Sequence, residues 1–194
     1  MNELRLRMSG HVLIRDVDSR TVLLDCTNAI HPENVSFALA RSLSDRPNGT
    51  IMQMAFGAGA SSVSAVGDIT YLPPNTLGLD AQLYQQTYQK FVDDLSPLNL
   101  DPVNNYMRVN HSSGATYSDI VVTCLLDYNE PDGQPATADA AGNDGRFTFD
   151  EIGLKTYDPS SNTGLLLTHV VFHPVQKVLN RRIEVIYTLR IVMA

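Results

Sequence analysis

Tryptophan is absent from the 194 residues, and aromatic residues together make up only 7%. A pocket lined with large rings is therefore not what this composition favours. Basic residues are also scarce: 14 Lys and Arg face 21 Asp and Glu, for a formal charge of −7. That balance argues against direct nucleic-acid contact, which needs a clustered basic face to neutralise phosphates. Cysteine occurs twice, at Cys26 and Cys124, each inside a short apolar run. Two lone cysteines so placed read as reduced core thiols rather than a disulfide. No run approaches the ~20 apolar residues of a membrane span. Behind Arg5 and Arg7 there is no apolar stretch of the kind a secretory signal requires. The expectation is a chain made in the cytoplasm, with no membrane contact.

What is present suits pleated sheets. The apolar share is 43%, enough for a core, and Val, Ile, Leu and Thr are plentiful. Residues 11–17 and 20–25 are β-branched runs separated by Asp18-Ser19, the pattern of a hairpin with a tight polar turn. His31-Pro32-Glu33, with a capping residue close by, precedes Val35, Ala38, Leu39 and Leu43 at helical spacing, which predicts one amphipathic helix over about 32–44. Arg46-Pro47-Asn48-Gly49 then stops it. Residues 51–56 read as a buried strand, and the small residues 57–62 as a mobile exposed loop. For residues 83–92, with Tyr84, Tyr88 and Phe91 at i, i+4 and i+7, a helix and an irregular strand fit equally. Five further strands are expected at 103–110, 117–128, 147–154, 165–173 and 183–193. Residues 129–146, including Asp132 and Asn143, have almost no apolar bulk and read as a second exposed loop. With no repeat or linker, residues 1–194 are expected to form one domain, mainly β. The predicted architecture is an antiparallel β-sandwich, or a barrel-like sheet, with one or two short helices.

Tests for chemistry return little. His169 and His173 have the i, i+4 spacing of a zinc helix, but their segment is β-branched and lacks the protease glutamate. On a strand they would stand about 13 Å apart, too far to share a metal. The oxygen-rich stretch 139–145 places alanine where a calcium loop needs a ligand. Gly57-Ala58-Gly59 lacks the Gly-Lys-Ser/Thr of a phosphate loop, and no nucleophile elbow is present. Asp93-Asp94 and Asp150-Glu151 are adjacent pairs. On a strand, neighbours point to opposite faces, so the plain expectation is one buried against a cation and one solvated. No catalytic residue, metal ligand or cofactor site is predicted, and the chain is not expected to be an enzyme.

Three C-terminal segments carry a resemblance: Phe147-Thr148-Phe149-Asp150-Glu151-Ile152-Gly153-Leu154, then residues 165–172, then Ile183-Glu184-Val185-Ile186-Tyr187-Thr188-Leu189-Arg190. With residues 27–34 and 54–59, they resemble virion structural proteins of tailed bacteriophages. The resemblance implies a particle component, and the short chain without a fibre-like shaft points to the neck or collar that connects head and tail. Its implied partners are copies of itself, with portal or connector, tail or fibre proteins beside them in the virion. A capsid-decorating or baseplate and fibre-anchoring subunit is the nearest alternative. A carbohydrate-binding β-sandwich is the alternative of another class, and Tyr84, Tyr88, Tyr117 and Tyr128 are the residues it would use. Subunit contacts are expected at Leu4, Arg5, Leu6 and Arg7, at Gly57 and Gly59, at Asp132 and Asn143, and at Arg181 and Arg182, which pair with carboxylates on a neighbour or within the fold. Strand addition at an exposed edge would supply the backbone bonds, and repetition about an axis would close a ring.

Overall fold

The computed structural model describes residues 5–131 and 146–193. The expected hairpin is present as β1 (Leu6–Asp16) and β2 (Val22–Ile30), with Gly10 opposite Asn28 and Ile14 opposite Leu24. Its turn is closed by Ser19 N–H donating to Asp16 at 2.7 Å, while Arg20 takes the left-handed conformation at φ 59°. Helix α1 (Pro32–Leu43) follows, capped by His31, whose ring Nδ1 accepts the Asn34 N–H. The remaining strands are β3 (Gln53–Gly57), β4 (Ser61–Val63), β5 (Ile69–Tyr71), β6 (Gln86–Phe91), β7 (Tyr106–His111), β8 (Tyr117–Leu126), β9 (Arg146–Lys155), β10 (Thr168–Val178) and β11 (Ile183–Met193). Residues 86–91 thus settle as strand, which leaves α1 as the one α-helix among the described residues.

Nine strands form one strongly curled antiparallel sheet, a half-barrel, in the order β6-β3-β9-β10-β2-β1-β11-β8-β7; β4 and β5 pair separately. The first and last strands are neighbours in register, from Leu6 opposite Met193 to Asp16 opposite Ile183. The expected 165–173 strand starts later and runs further, to Val178. It passes Pro174 where its register with β9 shifts between Val171 and Val175, the kind of site that tolerates a residue with no N–H to donate.

Alternation sorts the two faces. Val12, Ile14, Val122, Cys124, Val185 and Tyr187 point inward and are fully buried, and Met54, Phe56, Phe149, Ile152 and Leu154 meet them from the other wing. Phe149 anchors a run of rings, 5.5 Å from Phe56 and 5.9 Å from Phe172, both edge-on, a favoured aromatic geometry. On the opposite face of β1, β2, β8 and β11, ion pairs join neighbouring strands: His11 with Asp25, Arg15 with Glu184, Arg190 with Asp119. Both cysteines are free thiols, and burial pushes that of Cys124 up to about 12.

Candidate interaction surface

The inward apolar face of the sheet continues beyond its cover. Leu6 lies opposite Met193, Met8 opposite Ile191, and Val109 opposite Ile120, so these side chains prolong the stripe that is buried further along the same strands. Helix α1 forms the facing wall with Val35, Ala38, Leu39 and Leu43, at the i, i+3, i+4, i+8 spacing of one helical face. Between them lies an open, almost wholly apolar groove of about 490 Å³. Ala38 is buried in its floor, whereas Leu43 is 82% exposed and Val109 69%. Such a contiguous uncovered apolar patch is a candidate interaction site.

The curled sheet also ends in two edges, β6 and β7. On β7 the Met107 N–H points away from β8 and is taken by the Asp94 carboxylate at 3.2 Å. Backbone groups alternate in direction along an antiparallel strand, so Val109 and His111 present theirs at the same edge. β7 therefore joins the groove wall to a strand edge open to pairing.

Of the ten residues expected at an interface, four lie elsewhere: Gly57, Gly59, Arg181 and Arg182. Leu6 is in the groove and Arg7 is exposed beside it, and Arg5 is exposed with partners of its own. Leu4, Asp132 and Asn143 fall outside the described residues. The expectation for 57–62 is overturned: Gly57 and Ala60 are buried, and the segment is clamped to the sheet. Glu151 Oε1 accepts N–H bonds from Gly59 (3.2 Å) and Gln85 (2.8 Å), and Oε2 accepts them from Tyr84 (2.9 Å) and His169 Nε2 (3.0 Å). Asp150 accepts from Ala60 N–H at 3.1 Å, Ser61 N–H at 2.8 Å and the Ser61 hydroxyl at 2.5 Å. Gly57 serves close approach, since a Cβ there would lie 2.4 Å from Glu151 Oε1 and 2.6 Å from Gln85 O.

The Asp150–Glu151 expectation changes with it. Both carboxylates are buried, satisfied mainly by backbone N–H groups rather than a cation, and neither is solvated. Burial by itself raises the Glu151 pKa, but the His169 bond and the three N–H groups more than offset that and hold it below the ordinary glutamate value. His169 Nδ1 accepts the Asn75 N–H at 2.8 Å, which places the ring proton on Nε2, facing Glu151. Glu151 takes two donors on each oxygen and Asp150 takes three in all, every one from within the chain, so the cluster works as a clamp on the 58–85 excursion. His173 is exposed and pairs with the Tyr71 hydroxyl, so the two histidines of the tested motif have separate partners.

Arg181 and Arg182 pair within the fold, with Asp16 and Asp18, each at 2.5 Å. The Ser19 N–H first, and Arg181 next, hold the Asp16 carboxyl down to about 2. Arg182 also lies over the Tyr128 ring at 5.1 Å. Arg182→Glu is therefore expected to lower the thermal midpoint slightly and to leave the mass in solution unchanged, read by calorimetry and light scattering. The tyrosines form no platform: Tyr88 sits among the core rings, Tyr84 packs on His169, Tyr117 begins β8 and stacks with Arg190, and Tyr128 lies past the other end of that strand under Arg182. Among the described residues no three His, Cys, Asp or Glu side chains converge to hold a metal, and no helix is long and apolar enough to cross a membrane. The groove escaped the sequence because Leu39, Leu43 and Val109 read as ordinary core positions; only the sheet's curl leaves them uncovered.

Fold and surface together define a class: a curled antiparallel β-sheet protein with an uncovered apolar groove and an adjoining open strand edge. Compared with protein-family models, curated proteins and solved structures, the chain matches none.

Proposed function

We propose that this chain is a non-enzymatic structural subunit of a tailed-phage virion, a neck or collar protein that joins head to tail by assembling with copies of itself and neighbouring virion proteins. The observation that carries the reading is the uncovered groove beside the open β7 edge. A monomer leaves that apolar stripe in water, while a neighbouring subunit would cover it and gain roughly 25 cal/mol per Å² of apolar surface removed. The resemblance of residues 147–154, 165–172 and 183–190 to virion proteins supports the choice of particle. The buried Asp150–Glu151–His169 cluster takes its hydrogen bonds from within the chain, in keeping with a scaffold. Virion proteins are then its partners, and the virion, after synthesis in the host cytoplasm, its location.

Absolute mass by light scattering across concentration, followed by imaging, tests this. A discrete ring of several copies is expected. A three-fold assembly that sits on shell lattices would transfer the protein to capsid decoration, and a persistent monomer would defeat the self-assembly on which the reading depends.

A further inference from the structure

The loop between β6 and β7 is held in a fixed shape that turns leucines outward. Asn99 and Asn105 are buried at its base: Asn99 Nδ2 donates to Asp93 O at 3.2 Å and Asn105 O at 2.7 Å, and Asn105 Nδ2 donates to Asp101 O at 3.0 Å. Leu125 N–H donates to Asn105 Oδ1 at 3.0 Å, which fixes the loop to β8. Leu100 is 95% exposed and Leu95 90% on this scaffold. Two buried amides thus hold an apolar knob in water, where the cost of ordering a docking element has already been met.

The knob does not fill the chain's own groove. Leu95 and Leu100 stand in water and no residue of 93–103 lines the groove, although Asp94 accepts the N–H of Met107 in its wall. Charge matches the two. From Phe91 to Met107 the sequence carries Asp93, Asp94 and Asp101 and no Lys or Arg. Arg108 lines the groove, and Arg41 and Arg46 flank the end of α1 against the single acid Asp45. We infer that the groove receives the acidic, leucine-bearing 93–103 loop of a second copy, in a head-to-tail contact that repeats from subunit to subunit. The inference rests on the self-assembly reading above and names the contact it uses. Because knob and groove are different surfaces, the contact is heterologous, and a fixed rotation between copies closes it into a ring.

Two exposed positions make the contact testable without disturbing the fold: Leu100→Asp on the knob and Leu43→Asp on the groove. Circular dichroism should match wild type for both. Each substitution places a carboxylate against an apolar wall and is expected to weaken association at least about tenfold. Each variant alone is then a monomer by light scattering where wild type is an oligomer. Mixed in equal amounts, they form a one-to-one dimer and stop there, because the intact loop of one fits the intact groove of the other and the remaining surfaces are both spoiled. If both variants keep the wild-type oligomer mass, this contact is wrong while self-assembly stands. Should wild type itself be monomeric at every concentration, the contact and the self-assembly reading fall together. A co-purifying apolar ligand in native mass spectra that Leu43→Asp releases, with no change in oligomer mass, would make the groove a ligand site and overturn the proposal.

Discussion

Glu151→Gln lowers the thermal midpoint by about 10 °C at pH 7, the effect of losing about 3 kcal/mol from a chain of this length. The glutamine keeps the shape of the side chain and one acceptor oxygen, but its NH₂ now faces N–H donors. Whichever way the amide turns, at least one of Gly59, Tyr84 and Gln85 keeps a buried N–H without an acceptor, or His169 Nε2 does. His169 cannot relieve this by moving its proton, because Nδ1 is already the acceptor for Asn75. Residues 58–85 should become the first site of limited proteolysis in the variant. The contrast is Ser61→Ala, which removes one hydroxyl bond to Asp150 and leaves both N–H bonds in place; its loss is expected to be about 1 kcal/mol. An unchanged midpoint for Glu151→Gln would mean the carboxylate is not what holds the excursion.

Acid supplies an independent reading of the same residue. The folded carboxyl ionises below its ordinary value, so between the two values the unfolded chain binds the extra proton. Its contribution is complete above the unfolded pKa and is lost as pH falls through the folded one. The gap between wild type and Glu151→Gln should therefore narrow steadily as the solution is acidified below about pH 4.5.

The same residues show why part of this protein was legible in its sequence and part was not. The β1–β2 hairpin, α1 and the C-terminal strands follow from local signals: Asp18-Ser19 at a turn, Pro32 at a helix start, and β-branched runs between breakers. The antiparallel, mainly β architecture follows from counting those runs. Glycines at 57 and 59 misled because small residues look the same whether they provide freedom or close approach. Which of these applies depends on carboxylates about 90 positions away. The rule that adjacent strand residues face opposite ways fails at Asp150 and Glu151, because the register with β10 shifts there and the core-facing phase changes between Phe149 and Ile152, so both carboxylates meet the 58–85 excursion. The groove was hidden for a related reason: alternation says which side chains share a face, but not how far the opposite layer extends over them.

Lys177 carries the second large effect, at the other end of the sheet. Its side chain is fully buried, and Nζ donates to the carbonyls of Asp127 (2.8 Å), Glu130 (2.9 Å) and Val178 (3.1 Å). Lys90 completes the cluster by donating to Leu125 O and to both Glu130 carboxylate oxygens. Together they fasten residues 127–130, just past the end of β8, to the sheet. Lys177→Met keeps the apolar stem and removes the three donors, for an expected loss of about 3 kcal/mol at pH 7. Burial, only partly offset by the nearby Glu130 and Asp127 charges, pushes the lysine down to about 8 from its usual 10.5. From pH 8 upward the unfolded chain therefore binds more protons than the folded one, so stability rises with pH until the unfolded lysine also titrates. Above about pH 9 the Cys124 thiol, which folding keeps protonated, acts in the opposite direction. The shifted Cys26, Cys124 and Lys155 act alike in both proteins, so the difference isolates Lys177: between pH 8 and 9 the gap between wild type and Lys177→Met should widen by about 1 kcal/mol in urea denaturation. If both proteins respond alike, the lysine is not buried as an ammonium and its three carbonyl bonds do not hold the 127–130 segment.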